Sequence, residues 1–171
     1  MVPVLETERL RLRGHRLGDF DASAAMWADP DVTRHIGGRP STREDSWRRF
    51  LSFPGHWQLT GFGYWLIEEK ASGAYVGDGG FGNFKRELGA YSLDAPEQGW
   101  ALRPAMHGKG YATEAMLAML AWAERHFSRR DFVCMIAPDN AASLRVAEKL
   151  GYREFARTDY KGSPTVLMRR K

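Results

Sequence analysis

The stretch "HGKGYATEA", His107–Ala115, holds the residue types best suited to chemistry in this chain. Gly108 and Gly110 are followed at once by a helix-favouring run. A helix start exposes backbone N–H groups with no intrahelical partner, and the aligned peptide dipoles make that end partly positive. Glycines ahead of it remove side chains and permit left-handed backbone, so several N–H groups can converge on one anion. Lys109 adds charge beside them. Two readings of this segment compete: an anion cradle, and a tight turn that merely needs glycine.

Other candidate motifs are weaker. "GDGGFG" (77–82) matches the dinucleotide pattern G-x-G-x-x-G, but that fingerprint requires a helix directly after it, and "NFKRELGAY" offers none. The glycines there read instead as a strand that another backbone or a ligand approaches closely. The Walker P-loop pattern is absent. Cys134 is the one cysteine, so no internal disulfide forms; inside the apolar run "FVCMIA" it reads as a small buried hydrophobe. No His, Cys and carboxylate spacing suggests a metal site.

The chain as a whole restricts the choice. With 171 residues it fits one domain, residues 1–171. Hydrophobic residues at 43% and charged residues at 27% argue for a globular chain, not a disordered one. The formal charge of +4 suits an anionic ligand, but the basic residues are scattered, with no RNP-like or zinc-finger spacing, so a nucleic-acid partner is not expected. The N-terminus lacks an apolar signal-peptide core, and no run approaches a membrane span. A cytoplasmic protein, with no membrane partner, is the expectation.

The elements that must position these residues follow from periodicity. "RLRLRGHR" (9–16) alternates leucine and arginine, the mark of a strand with one buried face. Asp19 is placed to cap a helix through Phe20, Ala24 and Trp27 that ends at Pro30. Ser41 or Thr42, with Glu44 or Asp45, opens a second helix, expected to end near Pro54. Strands at 62–70 and 75–84 form a hairpin, and a polar loop (85–96) leads to a strand at 97–103, cut off by Pro104. Ala112, Met116, Met119, Leu120, Ala123 and Phe127 mark one face of a long helix. A buried strand (131–137) and a short helix (138–152) follow, the helix with Asn140 as N-cap and Gly151 as left-handed C′ residue. Two more strands close the chain. This is an α/β layer protein with a mixed sheet.

"EQGWALRPAMHGKGYATEAM" resembles the acetyl-CoA motif of the GNAT N-acetyltransferase superfamily, [Q/R]-x-x-G-x-[G/A] between a strand and a long helix. Gly110 and Ala112 match the pattern; His107 replaces the first Gln or Arg. "NAASLRVAEKLGY" resembles the family's next helix, and "LETERLRLR" the start of the RimJ/RimL-like, ribosomal-protein N-terminal acetyltransferase branch. The resemblance covers essentially the whole chain. It implies a three-layer α+β fold: a mostly antiparallel, splayed sheet of about seven strands flanked by about four helices. Acetyl-CoA would lie where the strands at 97–103 and 131–137 part. Its pyrophosphate would sit on the amides of Gly108, Lys109, Gly110, Tyr111, Ala112 and Thr113, with His107 nearby. The backbone of Leu102 and Arg103 would pair with pantetheine, and Asn140 and Ser143 would face the thioester.

The implied reaction moves an acetyl group to an amine: a protein N-terminus or a small molecule. The amine must lose a proton, the oxyanion must be stabilised, and the thiolate must leave. The family's usual acid, a tyrosine seven residues after the asparagine, is replaced by Ala147, and Ser143 is the nearest substitute. A leaving thiol of pKa about 8.5, by analogy with cysteine, needs little help. Glu97 stands where the branch often has an acidic residue and is the first candidate for the base; Asp78 and Tyr160 are weaker ones. Trp27, Trp47, Phe53 and Trp57 are expected around the acceptor, in a pocket built from residues 20–60 and the C-terminal hairpin. The rival reading is an acyl-CoA-binding or regulatory module that has lost catalysis, which Ala147 supports. A homodimer is compatible with the branch.

Overall fold

The computed structural model describes all 171 residues. A two-stranded start, β1 (Leu5–Glu6) and β2 (Leu10–Arg13), precedes the helices α1 (Phe20–Trp27), α2 (Pro30–Thr33) and α3 (Arg43–Thr60). The hairpin of β3 (Tyr64–Glu69) and β4 (Tyr75–Gly82) leads to β5 (Glu97–Leu102) and then α4 (Tyr111–Phe127). The chain finishes with β6 (Phe132–Ile136), α5 (Ala141–Lys149), β7 (Arg153–Tyr160) and β8 (Ser163–Arg170). The eight strands form one sheet in the order β1-β2-β3-β4-β5-β6-β8-β7. Every neighbouring pair is antiparallel except β5 with β6. The count exceeds the expectation by the short β1 and the one-turn α2.

Strand alternation sorts side chains into two layers. Trp65 and Ile67 point with Leu10 and Leu12 into the larger core, closed by Ala115, Met116, Met119 and Ala123 of α4. Leu66, between them on β3, faces the other way and packs with Met26, Trp27 and Val32. Helices therefore cover both faces, and full burial of each such side chain contributes about 1.5–3 kcal/mol. The glycines of β4 are there for close approach. A Cβ on Gly77 would run into the Ala101 carbonyl, and one on Gly80 into the Gly63 carbonyl.

Three local expectations are corrected. Pro30 does end α1, but it also starts α2 from the N1 position, where its missing N–H costs nothing, and Asp29 caps that turn through the Asp31 amide. Helix α3 does not stop at Pro54; it continues to Thr60 and ends at Gly61, whose φ is 78°. The extra turns carry Trp57, whose indole N–H donates to the Tyr64 carbonyl at 2.9 Å and whose ring meets Trp65 edge-on. That packing outweighs the hydrogen bond lost at proline. Asp19 makes no capping bond to α1; its carboxylate accepts from Arg13 and the Arg16 amide instead. Thr42 is the cap of α3, in a reciprocal capping box with Asp45.

Candidate active site

The sheet opens where the sequence indicated. β5 and β6 run parallel and pair only at Glu97 and Val133, where the Val133 amide donates to the Pro96 carbonyl at 3.2 Å. Beyond that point they part. In an antiparallel pair, alternate residues turn their polar groups to opposite sides. The Arg103 amide bonds back to Val76 of β4 at 2.9 Å, so residues 98, 100 and 102 turn theirs toward the gap. Arg103 is therefore corrected as a pantetheine partner: its amide is used by β4, and its carbonyl accepts from Met106. Leu102 does face the gap, although its carbonyl accepts from His107 Nε2 at 2.9 Å. Trp100, two residues before Leu102 on β5, supplies gap-facing backbone that the sequence does not mark.

His107 thus clamps the end of β5 to the loop that follows. There Gly108 and Gly110 adopt φ of 74° and 81°, left-handed values that other residues resist. Gly110 takes the N-cap position of α4 with no side-chain cap. None of the amides from Gly108 to Thr113 donates to an acceptor within the protein. Lys109 lies beside the Tyr111 ring, its ammonium 5.7 Å from the centroid. Tyr111 is buried, and its hydroxyl donates to Glu69, which fixes the first turn of α4 to β3. Arg9 holds the other side: it donates to the Lys109 carbonyl at 2.9 Å and pairs with Glu114. The alternation of β2 marked Arg9 only as a solvated residue, and nothing in the sequence ties it to a loop 100 residues on.

Beyond the gap lies a cavity of about 670 Å³, lined by β5, β6, the loop after α2 and the β7–β8 turn. Asn140 and Ser143 reach it from the start of α5. Asn140 Oδ1 accepts the Ser143 amide at 3.1 Å, which leaves the Ser143 hydroxyl without a partner in the protein. Ala147 is buried in the main core and does not line the cavity. Glu97 does line it, but not as a free carboxylate. Arg86 Nη2 and Nε donate to its two oxygens at 2.6 and 2.9 Å, and Arg86 also donates to the Tyr160 hydroxyl at 3.1 Å. Arg86 comes from the polar 85–96 segment, where nothing in the sequence marks it for a role.

The cavity's other groups follow from their surroundings. Burial pushes the Tyr64 phenol well above its usual range, and the Glu97 charge adds to this, so Tyr64 stays protonated. Burial also raises the Tyr160 phenol, but Arg86 and Lys161 outweigh it and leave the net shift downward. Burial drives the Cys134 thiol upward, so it is an inert wall of the cavity. His35 Nδ1 lies 3.2 Å from Asp139 Oδ1, linking the loop after α2 to the start of α5; neither had an assigned partner from sequence. Of the aromatics expected around the acceptor, Trp27 is present. Phe53 stacks on His15, Trp57 packs against Trp65 and Trp122, and Trp47 packs against Phe20, all outside the cavity. Asp78 is buried and engaged by His15 at 2.8 Å and Trp27 at 3.2 Å, away from the gap.

Residues 9–153 match the family model described as "Acetyltransferase (GNAT) domain". Among curated proteins, the chain is 31% identical over 154 residues to YkkB of Bacillus subtilis, described as uncharacterized, covering 86% of this chain and 83% of that one. It is 26% identical to "Uncharacterized N-acetyltransferase p20" of Bacillus licheniformis, covering 88% and 82%. Among solved structures, a putative GnaT-family acetyltransferase from Bordetella pertussis superposes with a TM-score of 0.86 at 33% identity, over 99% of both chains. The fold is also that of RimL, a ribosomal L7/L12 alpha-N-protein acetyltransferase, with a TM-score of 0.80 at 18% identity over 100% and 94% of the two chains. Splayed sheet, glycine loop and family model agree over nearly the whole length: the chain belongs to the GNAT acetyltransferase family.

Proposed function

We propose that this acetyltransferase moves an acetyl group from acetyl-CoA to a primary amine, by direct attack within a ternary complex. The carrying observation is spatial. A row of unsatisfied amides (Gly108–Thr113) follows the strand that borders the gap, and the same gap continues into a cavity with room for a small molecule or a peptide end. Backbone donors with left-handed glycines fit a pyrophosphate, and the gap-facing groups of Trp100 and Leu102 fit an amide-bearing arm. RimL, which shares this fold, has been solved in complex with coenzyme A. Bound acetyl-CoA supplies a thioester whose carbonyl carbon an amine nitrogen attacks.

The chain's own residues orient and exchange protons. An α-amine with a pKa of about 8 is already about a tenth free base at pH 7, so base catalysis has a modest task. Glu97, held by Arg86, acts best as the fixed anchor of a hydrogen-bonded set that ends at the Tyr160 hydroxyl, with water completing the path to the amine. Ser143, whose hydroxyl is free, takes the acid's place near the thioester, where an acidic thiol asks little of it. The rival reading, an acyl-CoA-binding or regulatory module without catalysis, draws only on Ala147.

The test is calorimetric titration of acetyl-CoA into the wild type and Gly110→Trp. Micromolar binding, lost in the folded variant, supports the cradle, and acetyl transfer to at least one amine completes the reading. Binding without turnover on any amine would favour the non-catalytic module. A folded wild type that binds no acetyl-CoA would end the proposal.

A further inference from the structure

The charges around the cavity do not balance. Its two carboxylates are already occupied: Glu97 by Arg86, and Asp139 by His35. Two cations that line the same cavity, Arg34 and Lys161, form no ion pair. Whichever protonation state His35 holds, the lining carries net positive charge. Arg34 comes from the loop that follows α2, and Lys161 from the β7–β8 turn, so separate elements bring them to one opening.

Lys161 also occupies an unfavourable backbone conformation. It sits between the paired residues Tyr160 and Ser163, with φ of 53°, followed by Gly162 with φ of 79°. A two-residue hairpin turn with both central residues left-handed favours Asn, Asp or Gly at its first position. A lysine there is strained, and strain of this kind gathers at functional sites. Its ammonium stays beside the Tyr160 ring, 5.4 Å from the centroid, and meets no carboxylate. Apolar surface in the same cavity comes from Trp27, Ile36 and Tyr64.

From this we infer that the acceptor is a primary amine that also carries a carboxylate, held at the cavity mouth by Arg34 and Lys161 while its apolar part lies against Trp27 and Tyr64. The inference rests on the acetyl-transfer reading and names the acceptor class within it. A polyamine would bring a second ammonium against two unpaired cations, which like-charge repulsion disfavours. The carboxylate can belong to a free amino acid or to an acidic side chain near a peptide N-terminus; both present the same chemistry.

Matched acceptors test this, with thiol release from acetyl-CoA as the readout. Phenylalanine against phenethylamine probes the free amino acid. A short peptide with glutamate at its second position, against one with lysine there, probes the peptide. The carboxylate-bearing member of at least one pair is expected to be favoured about tenfold or more in kcat/KM, the scale of one charge-assisted hydrogen bond. Amine pKa differs between members of a pair, so the preference is also measured in Arg34→Gln/Lys161→Gly; glycine keeps the turn. The preference should fall toward parity through a raised KM for the acid. Equal or reversed preference in both pairs, or a preference that survives in the double variant, overturns the anionic-acceptor assignment. Failure to bind acetyl-CoA at all would instead overturn the acetyl-transfer reading beneath it.

Discussion

Gly99 and Tyr64 are a coupled pair at the heart of the cavity, and their coupling can be measured. Gly99 lies on β5 opposite Gly80, with extended backbone, so alanine brings no dihedral penalty of its own. The obstacle is steric. A methyl group on Gly99 would overlap the Tyr64 hydroxyl oxygen, with the ring carbon Cζ 3.3 Å away. Tyr64 cannot simply swing aside, because its ring stacks on Phe53 at 5.6 Å and meets Phe84 at 6.2 Å. Overpacking of this kind costs about 1–3 kcal/mol. For a chain of this size that lowers Tm by roughly 2–12 °C, at about 2–4 °C per kcal/mol. Tyr64→Phe removes the oxygen and leaves Cζ as the nearest neighbour at 3.3 Å, a close contact that a small shift of the ring relieves. Gly99→Ala should then cost about 0.5 kcal/mol or less, giving a coupling of about 0.5–3 kcal/mol. Thermal and urea denaturation of the four proteins measure it. An equal cost in both backgrounds would refute the reasoning, because the hydroxyl would not be what the methyl meets.

Two further outcomes follow from the charged groups. Glu97 is 9% exposed and its partner Arg86 24%, so Arg86→Met should strand a nearly buried carboxylate; losing one partner of a buried pair costs about 3–5 kcal/mol, reduced here by the partial exposure of Arg86 to about 2–3. Adding Glu97→Gln should recover part of that stability in urea titrations, and a double variant worse than Arg86→Met alone would show that the charge is not the cause. Burial pushes the Glu114 carboxyl up, but the Thr7 hydroxyl and the Arg9 amide and guanidinium outweigh it, so its net shift is downward. A carboxylate depressed on folding binds fewer protons in the native than in the unfolded state, so its stabilisation is present above the unfolded value of about 4.3 and lost as pH falls through the folded value. Glu114→Gln should therefore flatten the stability slope below about pH 4.3; an unchanged slope would separate Glu114 from the acid sensitivity.

Local pattern carried much of the fold. The leucines of β2, the apolar face of α4 and the caps Thr42, Asn140 and Gly151 are visible because each depends on neighbours within a few residues. The glycine loop was legible for the same reason: the left-handed positions and the helix start that follows are encoded side by side. Helix α3 passed through Pro54 because Trp57 finds Trp65 and Trp122, partners on a strand and on a distant helix that no window around proline contains.

The cavity was decided by tertiary structure. Arg86 gave no signal in a polar loop, yet it neutralises Glu97, the first of the base candidates that the sequence offered. Arg9, His35 and Tyr64 likewise acquire their places only when remote segments meet. The sequence by itself determined the glycine loop and the order of elements, because backbone conformation and helix periodicity are short-range properties. Which charges remain unpaired around the cavity depends on long-range pairing of side chains, and only the folded chain sets that.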